Sequence, residues 1–150
     1  MRSLVFLFVY LPIMFQINMS QSTLLVCALC RFPSGEKERD GVRGGQHLLD
    51  QLQAVVDTRA DLMQTIELKP VKCIAACDRA CVAAFSTAGK QTYIFRDLSP
   101  TDSVDDLIKF AEQYRDAEHG RVPHSERPEG LKRSTLAILP PIPIATPALK

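Results

Sequence analysis

The stretch KCIAACDRACVAAF, residues 72–85, carries Cys73, Cys77 and Cys81, three of the chain's five cysteines, each four positions after the last. It is bounded on both sides by segments that read as strands. Before it, TIELKPVKC (65–73) sets Ile66 and Leu68 against Glu67 and Lys69, the period of two of a half-buried strand. Pro70 has no N–H for a central ladder, so it confines that strand to an edge or ends it. After it, VAAFSTAGKQTYIFRDL (82–98) reads as a β-hairpin around an Ala-Gly-Lys turn, with Gly89 supplying the unusual backbone angles.

Working outward, TLLV (23–26) is a short apolar run that ends at Cys27, a buried strand delivering a cysteine at its C-terminal end. RFPSGEKERDGVRGG (31–45) follows, marked as a long loop by its Gly, Pro and charge content. From Gln46 the pattern changes. Leu48, Leu49, Leu52, Val55 and Val56 fall on one face of an amphipathic helix. A second helix is predicted within SPTDSVDDLIKFAEQYRDAEHG (99–120), with Ser99 as N-cap, Pro100 at the first helical position and Gly120 as the stop. Its buried stripe is Val104, Leu107, Ile108, Ala111 and Tyr114. The order β-α-β, cysteine loop, β-β-α predicts an α/β fold: a small mixed sheet with two main helices.

The ends are read separately. Leu4–Phe15 is an almost unbroken hydrophobic run, too short to span a bilayer, and the residues after it lack a small-x-small cleavage pattern. Met19 opens a polar restart that runs into the first strand, so residues 1–18 are taken as an N-terminal extension arising from an upstream start site, and 19–120 as the folded domain. Residues 121–150 are expected to be an Arg- and Pro-rich tail, closing in LPPIPIATPALK, too rich in proline for a helix.

With 150 residues and 46% apolar content the chain can bury one ordinary core. A net charge of +1, 7% aromatic residues and no tryptophan give no reason to expect a nucleic-acid partner, and no membrane partner is expected. The expected compartment is the cytoplasm, where clustered thiols stay reduced and serve as metal ligands or redox groups. Cys27 and Cys30 follow the first strand and Cys73 and Cys77 the second. Adjacent parallel strands of a β-α-β unit end on the same side of the sheet, so the two pairs can meet. Four thiolates at one place require a cationic partner, which leaves tetrahedral zinc or an iron–sulfur cluster. Zinc knuckles favour two C-x2-C pairs. Here the second pair is C-x3-C, with small residues between that let backbone amides approach sulfide, which favours the cluster.

VKCIAACDRACVAAF, with LLVCALCR before it and TYIFRDL and GRVPHSERPEGL after it, resembles the DUF1636 family of predicted metal-binding proteins, which is similar to thioredoxin-like [2Fe-2S] ferredoxins. The resemblance implies a thioredoxin-like fold and a cluster on Cys27, Cys30, Cys73 and Cys77. The first pair is closer in sequence than is usual in those ferredoxins, which makes Cys81 an alternative to Cys30. The implied role is electron transfer to a redox protein partner, or redox sensing, without catalysis. A zinc or other metal-ion accessory protein, loosely linked to metal or cobalamin metabolism, is the alternative.

A thiol oxidoreductase is the third reading. It needs a helix N-terminus directly after the first thiol to ionise it, and the first helix starts some 15 residues later in the sequence. His47, His119 and His124 are solitary, Arg121, Arg127 and Arg133 read as solvated, and Asp78 and Arg79 could pair with each other or tune the cluster. No Ser-His-Asp set, phosphate loop or paired carboxylates support hydrolysis or phosphoryl transfer.

Overall fold

A computed structural model describes residues 21–143, so the hydrophobic run Leu4–Phe15, the start at Met19 and residues 144–150 lie outside the described residues. The elements are β1 (Ser22–Cys27), β2 (Glu38–Arg39), β3 (Val42–Arg43), α1 (Gly44–Asp57), α2 (Ala60–Thr65), β4 (Ile66–Val71), β5 (Ala83–Ser86), β6 (Thr92–Phe95), α3 (Val104–Asp116), α4 (Glu129–Ser134) and β7 (Thr135–Leu139). Five strands form a mixed sheet in the order β4-β1-β5-β6-β7. β1 and β4 are parallel neighbours joined through α1, as a β-α-β unit requires, and the other pairings are antiparallel. β4 is an edge strand, where the missing N–H of Pro70 leaves no central ladder broken.

The alternation of β1 puts Leu24 and Val26 on the core face. Leu24 stands opposite Phe85, and Phe85 opposite Tyr93; Val26 stands opposite Ala83, and Ala83 opposite Phe95. Phe110 of α3 lies over these rows, its ring 5.1 Å from Phe85, 5.0 Å from Tyr93 and 5.0 Å from Phe95. Leu48, Leu52 and Val56 of α1 join the same core, as does the whole expected stripe of α3. Burying each of these side chains stabilises by roughly 1.5–3 kcal/mol, so this face fixes the register of the sheet and where its strands end.

Three differences from the sequence reading are instructive. The 31–45 loop contains the ribbon β2-β3, whose turn residues Asp40 and Gly41 have φ of 51° and 76°. Asp-Gly is a hairpin signal, masked here by the surrounding charges. The regular part of the second helix starts at Val104: Ser99 caps the turn before it, its Oγ accepting from Asp102 N–H at 3.1 Å, while Ser103 Oγ accepts from Ser99 N–H at 3.0 Å.

The third is a correction. The boundary at 120 is not the edge of the fold: α4 buries Leu131, and β7 pairs with β6 from Thr135 to Leu139. The run TLAIL is a competent edge strand, and Pro140 and Pro141, which cannot donate to a ladder, stand just beyond its end. Their composition had drawn the strand into the supposed tail.

Candidate metal centre

The ends of β1 and β4, the start of β5 and the end of β6 lie at one pole of the sheet. All five cysteines lie in the segments that gather there, and all are free thiols. Cys27 closes β1, its N–H donating to Val82 O at 3.0 Å, and Cys30 N–H turns back to Cys27 O at 3.3 Å. Ala28 N–H donates to Val71 O at 2.9 Å, so the parallel ladder carries this turn alongside the end of β4. The loop after β4 holds Cys73 and then Cys77, which opens a 3-10 turn over Cys77–Arg79. Asp97 N–H to Arg79 O at 2.9 Å and the mutual bonds between Cys81 and Leu98, at 3.1 and 3.3 Å, fasten that loop to the segment after β6.

The thiols form two pairs. Cys27 and Cys30 are buried, each about 3% exposed, and Cys27 Sγ lies 3.9 Å from Lys72 O. Burial first, and then Cys27, push the Cys30 thiol up to about 12. Cys73 and Cys77 lie at the surface, and the neighbouring Cys73 pushes the Cys77 thiol up. Cys73 Sγ also accepts from Ala75 N–H at 3.2 Å. Cys27 stands between the pairs: its charge is felt by Cys30, Cys77 and Cys81 alike. Cys81 lies inside, fully buried, its Sγ 3.5 Å from Arg31 O, and burial pushes its thiol up to about 12. Among the described residues no three His, Cys, Asp or Glu side chains converge closely enough to hold a single metal ion.

The sequence reading missed the far side of this pole. Although α1 begins well after Cys30 in the sequence, its N-terminus folds back onto the Cys27–Phe32 backbone. Gly45 N–H donates to Cys30 O at 3.0 Å, and a Cβ at Gly45 would collide with the Cys27 carbonyl oxygen. The two glycines opening α1 were the signal, since only a residue without Cβ permits that approach. The helix end expected to be distant is therefore adjacent. Of the remaining candidates, Asp78 and Arg79 form no ion pair with each other among the described residues, and Arg127 is held by Val122 O at 3.0 Å with its guanidinium 5.2 Å over Tyr93. His47 packs on Phe32, ring to ring at 6.1 Å, and His119 and His124 are exposed.

The family model described as a protein of unknown function, DUF1636, matches residues 24–141. The chain belongs to the DUF1636 family. Its fold is thioredoxin-like. A thioredoxin-like [2Fe-2S] ferredoxin from Aquifex aeolicus is similar at a TM-score of 0.53 and 17% identity, over 79% of this chain and 93% of that one. A cysteine-to-serine variant of the Aquifex aeolicus thioredoxin-like [2Fe-2S] ferredoxin is similar at 0.52 and 16%, over 77% and 98%, and a second such variant at 0.51 and 16%, over the same shares. No curated protein matches the chain. No helix among the described residues is long and apolar enough to cross a membrane.

Proposed function

We propose that this protein is a one-electron carrier or redox sensor that holds a [2Fe-2S] cluster on Cys27, Cys30, Cys73 and Cys77 and passes electrons to a redox protein partner without catalysing a reaction of its own. The observation that carries this reading is that the parallel strands β1 and β4 end side by side, so that Cys27 with Cys30 and Cys73 with Cys77 are delivered as two pairs to one pole of the sheet. A structural zinc ion needs four ligands converging tetrahedrally on one point, whereas a two-iron cluster takes a pair at each iron. The donor set fits the second demand, and the likeness of fold to thioredoxin-like [2Fe-2S] ferredoxins agrees with it.

A bound cluster would supply reversible one-electron transfer. The chain's own residues divide the remaining work. Cys27 and Cys30 keep their side of the centre away from water, while Cys73 and Cys77 bring the other side to the surface, where a partner can approach. Ala75 N–H donates to Cys73 Sγ, a bond that would favour the reduced state of a bound cluster by stabilising negative charge on sulfur. The thiol oxidoreductase reading loses ground despite the nearby helix end, because Cys27 and Cys30 are both buried, out of reach of a substrate disulfide. Five free thiols suit a reducing compartment such as the cytoplasm.

The test is anaerobic purification followed by visible absorption, iron, sulfide and zinc assays, and EPR. A brown protein with two irons and two sulfides per chain, bleached reversibly by dithionite with a reduced-cluster EPR signal, is expected. A colourless protein with one tightly held zinc per chain overturns the proposal in favour of a metal-ion accessory protein.

A further inference from the structure

The loop that leaves Cys30, the β2-β3 ribbon, the first turn of α1 and the turn that enters α3 enclose a cavity of about 480 Å³ with no cysteine in its wall. That volume falls in the range of small-molecule sites, roughly 300–1,000 Å³. Phe32, Val42 and Pro100 supply apolar wall, and Phe32 and Pro100 are themselves buried. The wall is fixed before any ligand arrives. Phe32 N–H donates to Glu36 O at 2.8 Å and Gly35 N–H to Phe32 O at 2.9 Å, while on the opposite side Ser99 Oγ donates to Asp102 Oδ2 at 3.0 Å.

Three titratable side chains line the cavity, Arg39, Asp40 and His47. The guanidinium of Arg39 is already engaged: it lies 4.1 Å over the Phe32 ring, and it donates to Glu36 through Nε and to Ser34 Oγ through Nη2. Asp40 joins no ion pair among the described residues, and neither does Asp102 beside the Thr101 rim. Lys37, the unpaired cation of the same loop, is exposed and lines none of the cavity. The charge left unmatched at this site is therefore negative, and it calls for a cationic group. The rest of the ligand is set by the wall. Phe32 and His47 present rings 6.1 Å apart, inclined at 52°, next to the ring of Pro100. Such surfaces are covered best by a rigid flat ring, which loses little conformational freedom on binding.

We propose that this cavity is a binding site for a small aromatic amine, its ring against Phe32, Val42 and Pro100 and its protonated nitrogen at the Asp40 carboxylate. His47 offers a ring nitrogen as acceptor for a ring N–H of the ligand. The site shares no cysteine with the candidate metal centre, so it stands or falls independently of the function proposed above.

The experiment titrates full-length protein with tryptamine by isothermal calorimetry, with indole-3-propionate and hexylamine as the two comparison probes. One saturable tryptamine site per chain is expected. The acid, which keeps the ring and reverses the charge, and the aliphatic amine, which keeps the charge and lacks the ring, should each bind roughly tenfold more weakly or worse, the effect of losing one charge-assisted hydrogen bond or one buried ring. Asp40→Asn keeps the fold, because asparagine accepts the φ of 51° at this Asp-Gly turn, and it should weaken tryptamine by a similar factor and abolish the preference over the acid. Val42→Trp places a large ring in the cavity from a strand that tolerates aromatics, and should block binding while circular dichroism stays that of wild type. No saturable binding, equal binding of the acid or of hexylamine, or unchanged tryptamine affinity in either folded variant overturns the proposal.

Discussion

The first cysteine pair is built into the interior and the second is laid on the surface, although their spacings, C-x2-C and C-x3-C, differ by one residue. Cys27 ends a central strand, and α1 closes over it through Gly44 and Gly45, so its pair inherits the rigidity of the core. Cys73 and Cys77 follow the edge strand β4, in a loop tied down mainly at its far end through Arg79 and Cys81. The contrast teaches that burial and not spacing separates the two pairs: one is sealed from water and the other faces solvent.

The largest expected effect would break this contrast or establish it. Cys73→Ser and Cys77→Ser should each abolish most of the iron content while leaving thermal stability of the metal-free protein within about 0.5 kcal/mol of wild type, as for other surface substitutions. Cys81→Ser should keep most of the iron and cost about 1 kcal/mol, since the hydroxyl is buried but can still donate to Arg31 O. Iron assay and calorimetry on the three variants read both quantities. The reverse ranking in iron would make Cys77 and Cys81 the ligand pair.

A smaller effect sharpens the buried half. Gly45→Ala drives a methyl into the Cys27 carbonyl, and forcing α1 away should cost about 1–3 kcal/mol and lower iron content together. Denaturant unfolding and iron assay on one sample would show whether the two fall in step. Iron loss without any stability change would mean that the helix end acts on the centre and not on the fold.

The smallest is a pH slope. Cys30 and Cys81 ionise near 9.0 when unfolded and at about 12 when folded, so over that window the native state holds protons that the unfolded chain has released. Their contribution is complete below pH 9.0 and is lost as pH rises toward about 12. Metal-free protein should therefore unfold more readily from pH 9 to 11 in a urea titration, and Cys81→Ala should flatten the fall. An unchanged slope in that variant would remove Cys81 from the buried, proton-holding set.

Much of the fold was legible because its signals are local. Ile66 and Leu68 alternate, Leu48 to Val56 repeat at helical spacing, and Pro70 and Gly89 mark an edge and a turn by their own backbone chemistry. β7 was harder to read. TLAIL is an ordinary short strand, but neighbouring prolines dominate any local window, and what makes it a strand is the ladder offered by β6. At the cysteine pole, the convergence of the pairs followed from the handedness and parallel pairing of a β-α-β unit, whereas their unequal burial did not.

What the sequence determined by itself is the set of elements, the parallel pairing of β1 with β4, and hence that Cys27 and Cys30 share a pole with Cys73 and Cys77. Those follow from periodicity, turn residues and chain connectivity, all properties of neighbours along the chain. Only the tertiary structure decided that α1 returns its N-terminus to the first pair, that Cys81 is sealed beside it, and that the second pair faces solvent. Burial depends on which distant segments pack over a thiol, and the same residue type is a protected hydrophobe under a helix and a reactive group on an edge loop.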